Sequence, residues 1–421
     1  MEKYINRLID NEIKILLKGI GAVCIEGPKF CGKTMTCEQY AKTKIFLHDT
    51  DKRESYEKLL KIQPSLILEG EKPLLIDEWQ DFPIIWDTVR TAIDRGSLKG
   101  DFLLTGSSSN DKVAVLHSGA GRIAKLRMRP MSLWESGNSN GAVSLKELFN
   151  NDNYQVSNKS TLSFVNYISL IVKGGWPAYL DYDVELASKL LNHYVNDLYS
   201  LSVFKKNKSP QKKAILNSLV RSLARNILTK STFETIVADL SNDKINLTNR
   251  MVENYYYKLK QAFIIEEVEA WNPHLRSRSR LRSIPKKNFC DPSIACGALR
   301  AGEDYLKKDI NYLGFLFESL VIRDLRVYAD TLDGDVFYYG DATNLDIDAI
   351  IQLKDGRWGC IQVKMGEKLI DEGVKEINLL LNKIDYSKTP KPSFCAVITA
   401  TEYAYKRPDG IFVIPLGSLK N

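Results

Sequence analysis

The chain has little of what disulfide-stapled or metal-rich proteins depend on. Seven cysteines are an odd number, and no C-x-x-C pair occurs among them. Neither a disulfide framework nor a zinc ribbon is indicated, and the reducing cytoplasm is the expected location. Only four histidines are present, none in an H-E-x-x-H arrangement, which argues against a His-rich metal centre. No apolar run reaches the ~18 residues of a membrane span. The opening MEKYINRLIDNEIKILLKGIG scatters charges through its apolar positions. It reads as an amphipathic helix rather than a secretory signal, and no membrane partner is expected. Internal repeats and low-complexity tracts are absent as well.

What remains is an ordinary globular composition, 44% hydrophobic and 26% charged, too apolar for disorder to be the main theme. The 421 residues suggest about three domains at ~150 residues each. The pattern places them at 1–135, 136–300 and 301–421. The net charge of +7 is unevenly spread. Eight Lys/Arg and no acid lie between Asp197 and Glu234, and six more and no acid lie between Glu269 and Asp291. Outside those stretches 45 basic residues face 52 acidic ones. The basic character therefore belongs to the middle of the chain, as expected of a local polyanion-binding surface. A solvated helix face with a basic loop accounts for it equally well.

In the first 135 residues short apolar runs alternate with helical patterns. Strands are expected at Ala22–Glu26, Lys44–Leu47, Leu74–Asp77, Phe102–Thr105 and Ala124–Met128. Such alternation predicts an α/β domain with a mostly parallel sheet. Within it, GPKFCGKT (Gly27, Pro28, Lys29, Phe30, Cys31, Gly32, Lys33, Thr34) fits G-x-x-x-x-G-K-[ST] between an apolar strand and a helix,. With Met35 it forms the expected nucleotide-binding segment. Gly27 and Gly32 let the backbone wrap a phosphate without a Cβ in the way, and successive N–H groups face the anion. Lys33 would reach the β and γ phosphates of ATP, and Thr34 would offer a hydroxyl to Mg²⁺.

A second apolar strand ends in two acids, at Leu74-Leu-Ile-Asp-Glu78. Asp77 is the expected partner of the Mg²⁺ water shell, and Glu78 is placed to polarise the attacking water. A third strand ends in Thr105-Gly-Ser107, and Thr105 or Ser107 could sense the γ-phosphate. Of the arginines that follow, Arg122 is the candidate for stabilising transition-state charge, in cis or across a subunit boundary. Its flanking glycines allow close approach to a ligand.

Residues Lys212–Leu228, Thr232–Leu240 and Asn246–Phe263 read as three helices and Ile264–Trp271 as a strand, the parts of a winged-helix module. Asn249, Arg250, Asn254, Tyr257 and Lys258 could then face DNA. Arg276, Arg278, Arg280 and Arg282 share one parity and, if extended, could grip phosphates. Tyr255-Tyr256-Tyr257 is better suited to packing than to base stacking. A protein-docking or lid role for the module fits as well.

The last third carries a helix Glu (Glu318), a strand Asp (Asp348) and Gln362-x-Lys364 on the next strand. Carboxylates and an amide oxygen in this order could hold Mg²⁺, with Lys364 orienting water, as in metal nucleases. Register decides whether they meet. A two-residue turn would set Asp348 opposite Val363, on the wrong face. A three-residue loop through Gly356 would set it level with Gln362 or Lys364.

Together, GPKFCGKT, LLIDEWQ, FLLTGSSS, GAGRIAKLRMRPMSLWE, GGWPAYL, WNPHLRSR, GFLFESLVIRDLRVYAD, IDAI and QVKMG resemble a family of bacterial and archaeal AAA-superfamily ATPases that carry a C-terminal domain of unknown function. The resemblance implies an α/β P-loop core, a helical winged-helix region and an α/β C-terminal domain related to restriction endonucleases. It also implies that Gly32, Lys33 and Thr34 bind nucleotide and Mg²⁺ and that Asp77 and Glu78 serve hydrolysis. Glu318, Asp348, Gln362 and Lys364 match the nuclease-like pattern, with Gln362 where a carboxylate is commoner. The expected protein is a Mg²⁺-dependent ATPase coupling nucleotide state to DNA binding and cleavage. The alternative is an ATP-switched scaffold with an inactive nuclease-like domain that holds a protein partner or a second copy of itself.

Overall fold

The structure, a computed structural model, describes residues 4–108, 118–204, 210–242, 248–273 and 283–421. The expected phosphate-gripping Arg276–Arg282, and Lys205, Lys206 and Lys208 of the basic middle, lie outside the described residues. Two compact units result: Met1–Pro130 with Leu259–Phe263, and Met131–Lys258 with Ile264–Asn421.

The first unit runs α1 (Ile9–Leu17), β1 (Ala22–Glu26), α2 (Lys33–Glu38), β2 (Thr43–Phe46), α3 (Arg53–Ile62), β3 (Leu74–Asp77), α4 (Ile84–Asp94), β4 (Phe102–Gly106) and β5 (Ile123–Arg127). The strands form one parallel sheet in the order β2-β3-β4-β1-β5. Burial explains the order. AVCIE, LLID and FLLTG are buried throughout, as central strands covered on both faces must be,. The outer strands TKIF and IAKLR keep Lys44 and Lys125 at the edges,. Alternation then builds two cores from the same strands. Ala22, Cys24, Leu74, Ile76, Phe102 and Leu104 pack with Ile85, Trp86 and Val89 of α4. Val23, Ile25, Leu75 and Leu103 pack with Ile13 of α1 and Cys37 of α2. All five strands fall within a residue of their expected positions.

The second unit begins with β6 (Val143–Ser144), α5 (Leu145–Asn150), β7 (Ser157–Lys159), α6 (Phe164–Lys173) and α7 (Val184–Asn196). Helices α8 (Pro210–Arg225), α9 (Phe233–Asn242) and α10 (Asn249–Gln261) follow, each overlapping its expected span. Residues 264–271 form no regular strand. They make single antiparallel bridges, Ile265 to Phe289 and Val268 to Lys286. Next come α11 (Ser293–Leu299), α12 (Glu303–Leu306), α13 (Ile310–Asp330), β8 (Gly334–Gly340), β9 (Asp346–Leu353), β10 (Trp358–Lys364), α14 (Ile370–Lys383), β11 (Phe394–Thr399), β12 (Tyr403–Lys406), β13 (Phe412–Pro415) and β14 (Leu419–Lys420). A mixed seven-stranded sheet runs β7-β12-β13-β11-β10-β9-β8. Because β10 and β11 are parallel, the connection must cross the sheet, and α14 makes that crossing over Trp358, Ile350 and Val397,.

A buried ion network ties three distant segments of this unit together. Arg323 of α13 is 2.8 Å from Asp291 and 2.7 Å from Asp324, all three essentially inaccessible to solvent. The second oxygens of the two acids accept backbone N–H groups from Leu133 and Ser293, and the Gly175 N–H joins Arg323 on Asp291 Oδ2. A Cβ on Gly175 would lie 2.2 Å from the Met131 carbonyl, so only glycine fits there. Among the described residues no helix is long and apolar enough to cross a membrane. All seven cysteines are buried and unbridged.

Candidate functional site

β1 delivers the chain into the glycine-rich turn and α2 carries it away. Gly32 has φ +103°, in the left-handed region. A Cβ on Gly27 would meet the Met128 carbonyl at 2.2 Å. Both glycines are therefore required by backbone geometry. Lys33 is buried, and its Nζ donates to the carbonyls of Gly27 (3.0 Å) and Pro28 (2.9 Å), inside the turn. Lys29 is half-buried and Cys31 is buried with Sγ against the Met128 carbonyl. Phe30 and Met35 are exposed beside the turn.

Strand order sets the rest. β4 lies between β1 and β3, so its end separates the turn from the acidic strand end. The Thr34 hydroxyl donates to Asp77 Oδ1 at 2.7 Å, and Thr105 donates to the same oxygen at 2.6 Å. Asp77 is buried. Burial pushes its carboxyl above the usual range, and the Thr105 and Thr34 hydrogen bonds oppose that shift. Glu78 adopts φ +57°, which turns it out of the strand. Its backbone N–H donates to Thr105 Oγ1 (2.9 Å), and its carboxylate accepts from Ser107 Oγ (2.6 Å) and from Gln80. The hydroxyl of Thr105 is thus engaged by the two acids, and Ser107 is held on Glu78.

Three further residues join the site. His48, two residues beyond β2, brings Nδ1 to 3.5 Å from Asp77 Oδ2. Gln80 follows Glu78 in the LLIDEWQ run. Arg7 is buried and donates to the carbonyls of Cys31 and Arg129, both at 2.8 Å, bracing the turn from outside. Asp10 fixes that brace by accepting from the Arg7 backbone (2.8 Å), Tyr4 (2.8 Å) and Tyr40 (3.0 Å). Gln80 could have been found by its adjacency to the acids. His48 and Arg7 are close only through the fold and carry no local signal.

Arg122, expected to stabilise transition-state charge in cis or across a subunit boundary, lies away from the turn of its own chain. Its carbonyl pairs with the N–H of Ala22, where β1 begins. That is the opposite end of β1 from the turn, about 13 Å along the strand. Its guanidinium is held by Asp94 of α4 at 2.8 Å.

In the second unit β9 and β10 form the odd-length hairpin. Gly359 pairs with Ile351 and Ile361 with Ala349, through a three-residue loop containing Gly356 at φ +91°. Asp348 is consequently level with Gln362, and its N–H donates to Gln362 Oε1 at 3.2 Å. Glu318 joins from α13. Each polar group nevertheless has a partner from the chain. Asp348 Oδ2 accepts the Val363 N–H (2.7 Å), and Gln362 Nε2 donates to Glu376 (2.7 Å). Lys364 is drawn onto Glu376 (2.9 Å) and Glu372 (3.0 Å) of α14. Lys286, buried, lies 2.8 Å from Asp346 and 3.4 Å from Glu318. Burial alone would push Lys286 down, but Glu318, Asp348 and Asp346 outweigh it and hold the ammonium above its ordinary value. Burial pushes Glu318 and Asp348 up, and Lys286 opposes the shift in both.

The basic middle divides by burial. Lys286 and Lys287 are internal, which corrects their expected place on a polyanion-binding surface. Lys213, Arg221 and Arg225 are exposed at four-residue helical spacing on α8, with Asn217 between them,. On α10, Arg250, Asn254 and Tyr257 are exposed, and Asn249 donates to Glu234 at 3.1 Å. Tyr255 and Tyr256 are buried.

Residues 20–136 match the family described as AAA domain. Residues 165–305 and 313–419 match two families, each described as a domain of unknown function (DUF8612 and DUF4143). No curated protein matches the chain. Among solved structures the chain is similar to the Walker-type ATPase PABY2304 of Pyrococcus abyssi, at 14% identity and a TM-score of 0.43, over 71% of this chain and 97% of that one. The loop, the parallel sheet and the AAA-domain match over residues 20–136 make the first unit similar to P-loop ATPase domains.

Proposed function

We propose that the chain binds ATP at Gly27–Met35 and hydrolyses it with Mg²⁺. The observation that carries this reading is the meeting of Thr34, Asp77 and Thr105 through one carboxylate oxygen beside the glycine-rich turn. A hydroxyl and a buried carboxylate are hard oxygen donors, the set Mg²⁺ prefers. Thr34, and Asp77 through water, would hold the ion, which supplies neutralisation of phosphate charge. Lys33 exchanges the Gly27 and Pro28 carbonyls for phosphate oxygens, an ammonium already withdrawn from water. Glu78 takes the proton of the attacking water, with Ser107 and Gln80 fixing its carboxylate. Thr105 positions both acids. Loss of ATP turnover in Lys33→Ala is the expected result; equal turnover in the variant and the natural chain defeats the reading.

The finer part of the proposal is coupling to DNA, supported by the exposed Lys213, Arg221 and Arg225 stripe. The competing role, an ATP-switched scaffold for a protein partner or a second copy of the chain, is favoured by the pairing of every member of the C-terminal constellation within the chain. Arg122 keeps a role only across a subunit boundary.

A further inference from the structure

Glu318 of α13 and Asp346 and Asp348 of β9 surround one ammonium, that of Lys286, with Asp346 the partly exposed member. Three acids so placed need a cation, and in this fold the chain brings its own. Lys286 Nζ is 2.8 Å from Asp346 Oδ2 and 3.4 Å from Glu318 Oε1. Its backbone cannot drift, because Lys286 and Val268 exchange two hydrogen bonds of 2.9 Å each. Tyr338 closes one side, its ring centroid 5.3 Å from Nζ. Lys230 reaches only the outer acid, Asp346, at 3.2 Å. The other expected donor is turned aside too, since Gln362 Oε1 accepts the Asp348 N–H.

These residues do not fit a divalent metal. An ammonium at hydrogen-bond distance from two of the carboxylates occupies the space an ion would need. Its charge also removes most of the attraction that would draw one in.

We propose that Lys286 is the permanent cation of this cluster, so that the C-terminal domain excludes Mg²⁺ and Mn²⁺ and cleaves nothing by metal-assisted hydrolysis. The cluster instead fastens residues 283–291 to α13 and β9. Removing the lysine should open the cluster to a divalent ion, since Glu318 and Asp348 then lose their resident cation and Asp346 keeps only Lys230.

The test uses the full chain carrying Asp77→Asn, which silences the nucleotide-linked cation position, and titrates it with Mn²⁺ by calorimetry and thermal unfolding. The Asp77→Asn chain should bind no Mn²⁺. Adding Lys286→Ala should create one site per chain and make the thermal midpoint rise by about 5 °C at saturating Mn²⁺. A folded Lys286→Ala chain that gains no site overturns the proposal. So does Mn²⁺ binding by the Asp77→Asn chain that disappears with Asp348→Asn. Should Lys286→Ala fail to fold even with Mn²⁺, the comparison of Asp77→Asn with Asp77→Asn/Asp348→Asn decides alone: no binding in either supports the lysine as resident cation. The outcome does not depend on ATP turnover.

Discussion

Thr105 illustrates how one hydroxyl can organise two acids. It is wholly buried, donates to Asp77 and accepts from the Glu78 backbone. Valine keeps its shape but removes both hydrogen bonds, leaving the Asp77 carboxylate with Thr34 and His48 and the Glu78 N–H without this acceptor,. Thr105→Val should lower kcat for ATP about 10- to 100-fold, with a smaller change in KM, because the phosphate turn itself is untouched. Steady-state kinetics checks this; an unchanged kcat would remove Thr105 from the site. Ser107→Ala removes one hydrogen bond to Glu78 and one from Gln80 and should cost less, since Gln80 still holds the carboxylate.

At the scale of elements, the conspicuous sequence segments RMRPMSLWE and GGWPAYL acquire a physical reason. Met131 to Glu135, Gly174 to Trp176 and α13 meet at the Arg323 network, and backbone N–H groups of Leu133 and Gly175 complete it. Removing the guanidinium leaves two buried carboxylates without a cation. Arg323→Met should therefore destabilise the second unit by about 3–5 kcal/mol, measured by urea unfolding. A loss under 1 kcal/mol would show that the network is easily replaced.

A second element-scale prediction concerns pH. Burial pushes Asp341 up, but Lys383, 2.5 Å away, and hydrogen bonds from Thr343 and Leu345 prevail and hold it well below the usual carboxylate range. A depressed folded-state value means stability that is present above the unfolded pKa of about 4 and lost as pH falls through and below it. Asp341→Asn should accordingly be less stable than the natural chain at pH 7, with the gap beginning to narrow as pH falls below about 4 and continuing to narrow below pH 3. A gap that stays constant across this range would count against the ion pair.

For the whole molecule, the proposed DNA coupling rests on exposed charge. The Lys213, Arg221 and Arg225 stripe should give affinity that falls steeply with salt through counterion release. Double-stranded DNA binding measured between 50 and 200 mM salt should weaken several-fold or more, and Arg221→Ala/Arg225→Ala should flatten the slope. No binding even at low salt would leave the scaffold role.

The sequence alone determined the parallel-sheet domain, because its strands are continuous apolar runs and its phosphate turn needs glycine at two fixed positions. It left the hairpin register open between a two-residue turn and a three-residue loop through Gly356, and the fold takes the latter. Tertiary structure decided what those side chains meet. Arg122 was expected to approach a ligand through its flanking glycines, yet strand direction carries it to the opposite end of β1 from the turn. Lys286 looked like part of a basic surface, yet a two-hydrogen-bond bridge to Val268 turns it inward among acids far away in sequence. Charge and spacing are local properties that a sequence records directly, whereas the partner that neutralises a buried charge is brought in by the fold.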